Sequence, residues 1–204
     1  SGKTVDTFLA DLTAAPWYNN FGDTLYTNMD DLAYVSTDWR SGAQITTTPR
    51  FVNYVEGIYV GYKFYETAYA DGMEGFDYDK AVVYPFGYGL SYTTFAYRDL
   101  KADKAEMDDT DTLTVTLKVK NTGDRAGKEV VQLYMQPGQG SVMRPVRELK
   151  GFAKIELQPG EEKEVSFTLD KRSFAYYNTR LHDWHVETGE YTLWAARSSR
   201  DLVL

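Results

Sequence analysis

The sequence predicts a mainly-β protein, an antiparallel β-sandwich in its carboxyl half preceded by a half of different character. Three observations predict it. Apolar and polar residues alternate with period two from Thr112 onward, turn residues punctuate that alternation at short intervals, and charge is distributed unevenly between the halves.

The first strand is the clearest. Leu113, Val115, Leu117 and Val119 face one way, and Thr114, Thr116, Lys118 and Lys120 the other, as a half-buried strand requires. It ends at Asn121-Thr122-Gly123-Asp124, where Asn and Gly tolerate the positive φ of a turn. A second strand follows over Lys128–Met135, and further strands are predicted at 146–157, 161–169, 173–177, 189–196 and 201–204. Pro137-Gly138, Pro159-Gly160 and Thr188-Gly189 separate them. About seven short strands so spaced are what an immunoglobulin-like antiparallel β-sandwich of roughly 100 residues needs.

Residues 101–111 are charged and poor in large apolar side chains, so they read as a solvated approach or linker, and the domain boundary is placed near Phe95. Upstream, Val55, Ile58, Tyr59, Tyr62 and Tyr65 lie near helical spacing, which predicts a helix starting around Gly57. Residues 1–50 are rich in Asp, Asn, Thr and aromatics without periodicity. A compact domain seldom contains so long an irregular stretch, so the amino half reads as a piece of something larger.

Composition excludes several function classes. The formal net charge is −8, with 5 basic and 12 acidic residues in 1–95 against 17 and 18 in 96–204, so no stretch is basic enough to propose nucleic acid as a partner. No run approaches 18 apolar residues, which argues against a membrane helix, and Ser1-Gly2-Lys3-Thr4 lacks the apolar core of a signal peptide; the compartment stays open. Without cysteine there is no disulfide and no thiolate chemistry, and His182 and His185 have no third ligand spaced to join them, so neither metal nor cofactor is expected. Aromatic residues make up 15% of the chain, a content that serves cores and the faces of sugars alike.

Three stretches, in order, carry a resemblance. They are Glu56-Gly57-Ile58-Tyr59-Val60-Gly61-Tyr62-Lys63-Phe64-Tyr65, then Tyr84-Pro85-Phe86-Gly87-Tyr88-Gly89-Leu90-Ser91-Tyr92-Thr93-Thr94-Phe95. The third runs from Val119-Lys120-Asn121-Thr122-Gly123 through Lys128–Tyr134, Arg144-Pro145 and Glu148-Leu149-Lys150-Gly151-Phe152 to Pro159-Gly160-Glu161, closing at Gly189-Glu190-Tyr191 and Ser199-Arg200-Asp201. Together they resemble the carboxyl region of family 3 glycoside hydrolases, the β-glucosidase family. The resemblance implies that residues 1–95 are the carboxyl portion of an α/β sandwich domain and 96–204 a fibronectin type III-like domain. The longer insert between Tyr65 and Tyr84, with Val5-Asp6-Thr7-Phe8, is most similar to members whose barrel follows the sandwich.

Members of this family are retaining glycosidases, whose two catalytic carboxyl groups lie about 5–5.5 Å apart. The resemblance places the nucleophile on a (β/α)8 barrel and the acid/base upstream of the matched α/β segment. A barrel of about 250 residues cannot fit in this chain beside the sandwich. The implied partners are therefore that barrel, the rest of the α/β sandwich and a carbohydrate substrate, with a terminal β-D-glucosyl residue as the unit hydrolysed. The loop at 137–145 is implied to reach either the active-site mouth or a partner in a homodimer. The competing reading is a free-standing carbohydrate-binding or structural β-sandwich module.

Candidate chemistry on the chain is sparse. Ser36-Thr37-Asp38-Trp39 is similar to the family's nucleophile motif, but a Thr is interposed and the preceding apolar run is short. Asp38 and Trp39 are accordingly substrate-proximal candidates, with a turn or cap residue as the plainer reading of Asp38. Glu56 and Glu66 fall off the family's acid/base motif, and Glu56 reads as structural at a helix start. In Phe86-Gly87-Tyr88-Gly89-Leu90 no Lys-Ser or Lys-Thr helix follows, so the glycines read as turn residues while Phe86, Tyr88 and Leu90 pack the domain junction. Trp17, Trp39 and Trp184 read as packing residues before they read as sugar platforms.

Overall fold

The computed structural model describes residues 2–20, 24–25, 28–52 and 54–204. Two compact units are formed, one of Ser1–Phe8 with Ile58–Leu204 and one of Leu9–Gly57. These units divide the chain by packing. The boundary near Phe95 is a matter of ancestry, which packing does not test.

The smaller unit contains a hairpin of β1 (Tyr34–Thr37) and β2 (Gln44–Thr47), in the register Tyr34↔Thr47 to Thr37↔Gln44. The Ser36 and Thr47 hydroxyls lie 2.6 Å apart across it. Among the unit's described residues only Ala15 is buried, while Tyr34, Val35, Trp39 and Ile45 are exposed. A two-stranded hairpin with so little burial is marginal in water by itself.

The larger unit opens with α1 (Tyr62–Ala70), then α2 (Tyr78–Ala81), whose N-cap Asp77 accepts the Lys80 N–H. The helix predicted from Gly57 begins five residues later. Gly57 and Gly61 have φ of 54° and 65°, left-handed values incompatible with helix, so Val55 and Ile58 lie in turns and Tyr59 in irregular chain.

The sandwich consists of β3 (Phe95–Ala102), β4 (Leu113–Asn121), β5 (Gly127–Pro137), β6 (Glu148–Leu157), β7 (Glu162–Leu169) and β10 (Tyr191–Ala196). One sheet has the order β7-β4-β3 and the other β6-β5-β10, with every pairing antiparallel. The alternation in β4 is realised: Leu113, Val115, Leu117 and Val119 are buried, and they pack with Val131, Leu133, Met135, Leu157, Val165 and Leu169 between the sheets.

β5 departs from alternation for a physical reason. Gln132 and Tyr134 point opposite to Leu133, yet they too are buried, because Tyr62 of α1 meets the Tyr134 ring edge-on at 5.9 Å and Gln132 Nε2 donates to the Gly87 carbonyl at 3.1 Å. A strand covered on both faces reads as a continuous apolar run.

Three further sequence readings change. The approach to the first predicted strand is itself partly a strand: β3 extends to Ala102, with a register shift between Arg98 and Lys101 where Asp99 takes φ 58°. Within 173–177 the chain makes a helical turn, α3 (Lys171–Phe174), closed by a capping box between Asp170 and Ser173, before β8 (Tyr176–Asn178) pairs with β9 (Asp183–His185). The strand predicted at 201–204 is reduced to one bridge, Ala196↔Leu202.

Candidate functional site

Asp38 follows β1 and turns the hairpin. Its Oδ1 accepts the Arg40 N–H at 2.8 Å, the Ser41 N–H at 2.7 Å and the Ser41 hydroxyl at 2.9 Å. The Ser41 bonds first, then that from Arg40, hold its carboxyl below the usual carboxylate range. An anion whose lone pairs are directed into its own turn is arranged as a cap. Beside it Trp39 is 83% exposed, with the Arg40 guanidinium 4.6 Å from its ring centroid.

Of the two glutamates in the matched helix region, Glu56 is half-buried in the turn before α1, so it stands six residues ahead of the helix rather than at its start. Glu66 is 1% exposed in the middle of α1. Its Oε1 accepts from the Tyr78 hydroxyl at 2.8 Å and the Ser199 hydroxyl at 2.9 Å; its Oε2 faces Arg147 Nη1 at 3.0 Å and Arg200 Nη1 at 3.6 Å. Arg147 also donates to the Ser199 carbonyl. A buried carboxylate so fully engaged is a fastener between α1 and the sandwich. Burial first, then the Glu66 charge, pushes the Tyr78 hydroxyl well above the ordinary phenol value.

A second buried carboxylate repeats the pattern. Glu129 on β5 accepts from the Tyr97 hydroxyl at 2.9 Å, with Lys3 Nζ at 3.7 Å. Burial, followed by this charge, drives the Tyr97 hydroxyl strongly upward. Glu129, Ser199 and Arg200 entered the sequence reading only as members of matched stretches, with no role attached, and Arg147 did not enter it. The signal was available only for Glu66, a charged residue in an otherwise apolar helical face; apart from Tyr78, 12 positions on, its partners lie 81 and more positions away.

The glycines of the junction act mechanically. Gly87 takes φ 77°, and a Cβ there would run into the Gln132 side chain. Phe86 stacks on Tyr62 at 4.6 Å and Tyr88 on Tyr84 at 5.2 Å. Leu90, expected to pack the junction, is instead 77% exposed, in an irregular stretch before Phe95 where Tyr92 is exposed as well. Trp184 pairs with Tyr177 across β8 and β9 at 5.4 Å, under the Arg172 guanidinium. In the loop after β5, Ser141 donates from its N–H and its hydroxyl to Glu187, and Met143 stands exposed.

These features define a two-sheet antiparallel sandwich to which a preceding helical segment is joined by buried ion pairs. Residues 129–199 match the fibronectin type III-like domain family. Over 204 residues the chain is 46% identical to thermostable β-glucosidase B of Acetivibrio thermocellus, covering 100% of this chain and 22% of the relative. Over 151 residues it is 46% identical to an exo-α-(1→6)-L-arabinopyranosidase of Bifidobacterium longum, 74% of this chain and 18% of that one. It superposes on a crystal structure of the GH3 β-glucosidase of Bifidobacterium adolescentis with TM-score 0.67 and 42% identity, covering 89% of this chain and 24% of that one. The chain belongs to the family 3 glycoside hydrolases, the β-glucosidase family, and spans about a fifth of the length of the curated relatives it matches.

Proposed function

We propose that this chain is the non-catalytic supporting portion of a retaining family 3 glycoside hydrolase acting on terminal β-D-glucosyl residues. Residues 1–95 are its portion of an α/β sandwich domain and 96–204 its fibronectin type III-like domain. The observation that carries this reading is the employment of the buried carboxylates. Glu66 and Glu129 are each tied to cations and hydroxyls, and Asp38 caps its own turn. A retaining glycosidase needs one carboxyl group free to attack and another, neutral, free to protonate.

The proposed partners are the (β/α)8 barrel, the rest of the α/β sandwich, a carbohydrate substrate and a second subunit met through the loop at 137–145. The exposed apolar surface of Leu9–Gly57, with its single buried residue among those described, supports the need for covering protein. The exposed Trp39, beside the anionic Asp38, supports a substrate-proximal role for that turn. A free-standing sandwich module would have no use for the upstream segment that Glu66 fastens down.

Expressing the chain together with the coding sequence on each side of it tests the reading. Turnover of an aryl β-glucoside by the longer polypeptide, retained after Asp38→Ala, is expected. Loss of that turnover by several orders of magnitude in Asp38→Ala would make Asp38 the nucleophile and refute the proposal.

A further inference from the structure

Between α1 and α2 lies an open cleft of about 340 Å³ that none of the roles above uses. Its size falls at the small end of ligand pockets, about 300–1,000 Å³. Tyr69, Phe76 and Tyr78 line it, Ala68 and Gly72 leave room within it, and Asp77 and Asp79 supply its charge.

The aromatic wall is held in place from behind. The Arg200 guanidinium sits 3.5 Å from the Tyr69 ring centroid and 4.5 Å from that of Tyr78, and is not itself part of the lining. Tyr78 meets Tyr69 edge-on at 5.6 Å and is anchored through its hydroxyl to Glu66. Tyr69 nonetheless remains half-exposed. An aromatic ring fixed on one side and wet on the other is a preorganised platform, which limits the ordering cost of binding.

The two carboxylates differ. Asp77 caps α2 and pairs with Lys80 at 2.8 Å, so its acceptors are taken. The Asp79 carboxylate, exposed in the same lining, has no hydrogen-bond or ion-pair partner among the described residues.

We infer that this cleft is a binding subsite for a neutral pyranose, with the C–H face of the sugar against Tyr69 and its hydroxyls donating to Asp79. Hydroxyl-to-carboxylate bonds are charge-assisted and therefore among the stronger ones. With two aspartates and no cation in its lining, the cleft rejects phosphorylated and acidic sugars. The choice of a sugar as ligand rests on the glycosidase reading above. Asp77 is engaged by Lys80, so the lining itself offers no paired acid and nucleophile.

Titrating the ¹⁵N-labelled chain with methyl β-D-glucopyranoside tests the inference. Amide shifts confined to Tyr69–Gly72 and Phe76–Asp79 are expected, with a Kd on the order of millimolar. Tyr69→Ala and Asp79→Asn should each weaken binding about tenfold or more, and D-glucose 6-phosphate should give no shifts there. If Tyr69→Ala unfolds the segment, the exposed Asp79→Asn change decides alone. Absence of shifts in the cleft, unchanged affinity in Asp79→Asn, or equal binding of the phosphorylated sugar would each overturn the subsite. None of these outcomes bears on where catalysis resides, which turnover measurements decide separately.

Discussion

Arg147 and Glu66, 81 positions apart, meet at 3.0 Å with the carboxylate 1% exposed, and this contact fastens α1 to the sandwich. Glu66→Ala strands the Arg147 guanidinium and Arg147→Ala leaves the buried carboxylate only Arg200, at 3.6 Å; breaking a buried pair in this way costs about 3–5 kcal/mol. Glu66→Ala and Arg147→Ala should each lower the urea midpoint accordingly. A double replacement by apolar residues of similar volume should cost less than either single change. Equal midpoints for wild type and both single variants would show that the pair does not fasten the two elements.

Leu133 and Leu117, 0% and 1% exposed, sit between the sheets, so truncation to Ala should cost about 2–5 kcal/mol through lost burial and the cavity left behind. Phe152 on β6 is 70% exposed, and Phe152→Ala should fall within about 0.5 kcal/mol of wild type. Chemical denaturation of the three variants side by side checks the core assignment.

The alternation that identified β4 and β7 was legible because each has one face on the core and one in water. The limits of β3 were not, since its bulge at Arg98 to Lys101 breaks the period and its charged outer residues imitate a linker. β5 hid its second buried face behind polar Gln132, whose amide is satisfied by backbone carbonyls of Gly87 and Arg197. The candidate site was legible to the same degree. Asp38 as a cap follows from a short-range Asp-Trp-Arg-Ser turn, whereas the Glu66 cluster joins residues from α1, α2, the loop before β6 and the carboxyl end, separations that periodicity cannot register.

Gly87→Ala should destabilise more than Gly160→Ala. Both glycines have positive φ, 77° and 75°, which costs an L-residue roughly 1–2 kcal/mol. Only at Gly87 does the new methyl also collide with a buried side chain, that of Gln132. Thermal unfolding of the pair measures the difference, and equal losses would mean that Gln132 moves aside freely.

Alkaline pH should unfold the protein through its buried phenols. Burial, partly offset by the Leu149 N–H bond and reinforced by Glu148 and Glu66, pushes Tyr62 from 10.0 to about 12, and burial likewise raises Tyr78, Tyr97 and Tyr134. A folded-state value above the unfolded one means that the folded state holds the proton longer. The associated stability is fully present below pH 10 and is lost as pH rises toward 12 and beyond. Tyrosinate absorbance and circular dichroism followed together should show these four phenols ionising with the loss of the sandwich. Their ionisation with the fold intact would contradict their burial.

The central claim is that the chemistry lies off this chain. The most direct measurement is aryl β-glucoside hydrolysis by the purified, folded chain alone, with Asp38→Ala and Glu56→Ala beside it. No release above the buffer rate is expected from any of the three; turnover by the wild-type chain that either substitution abolishes would contradict the account.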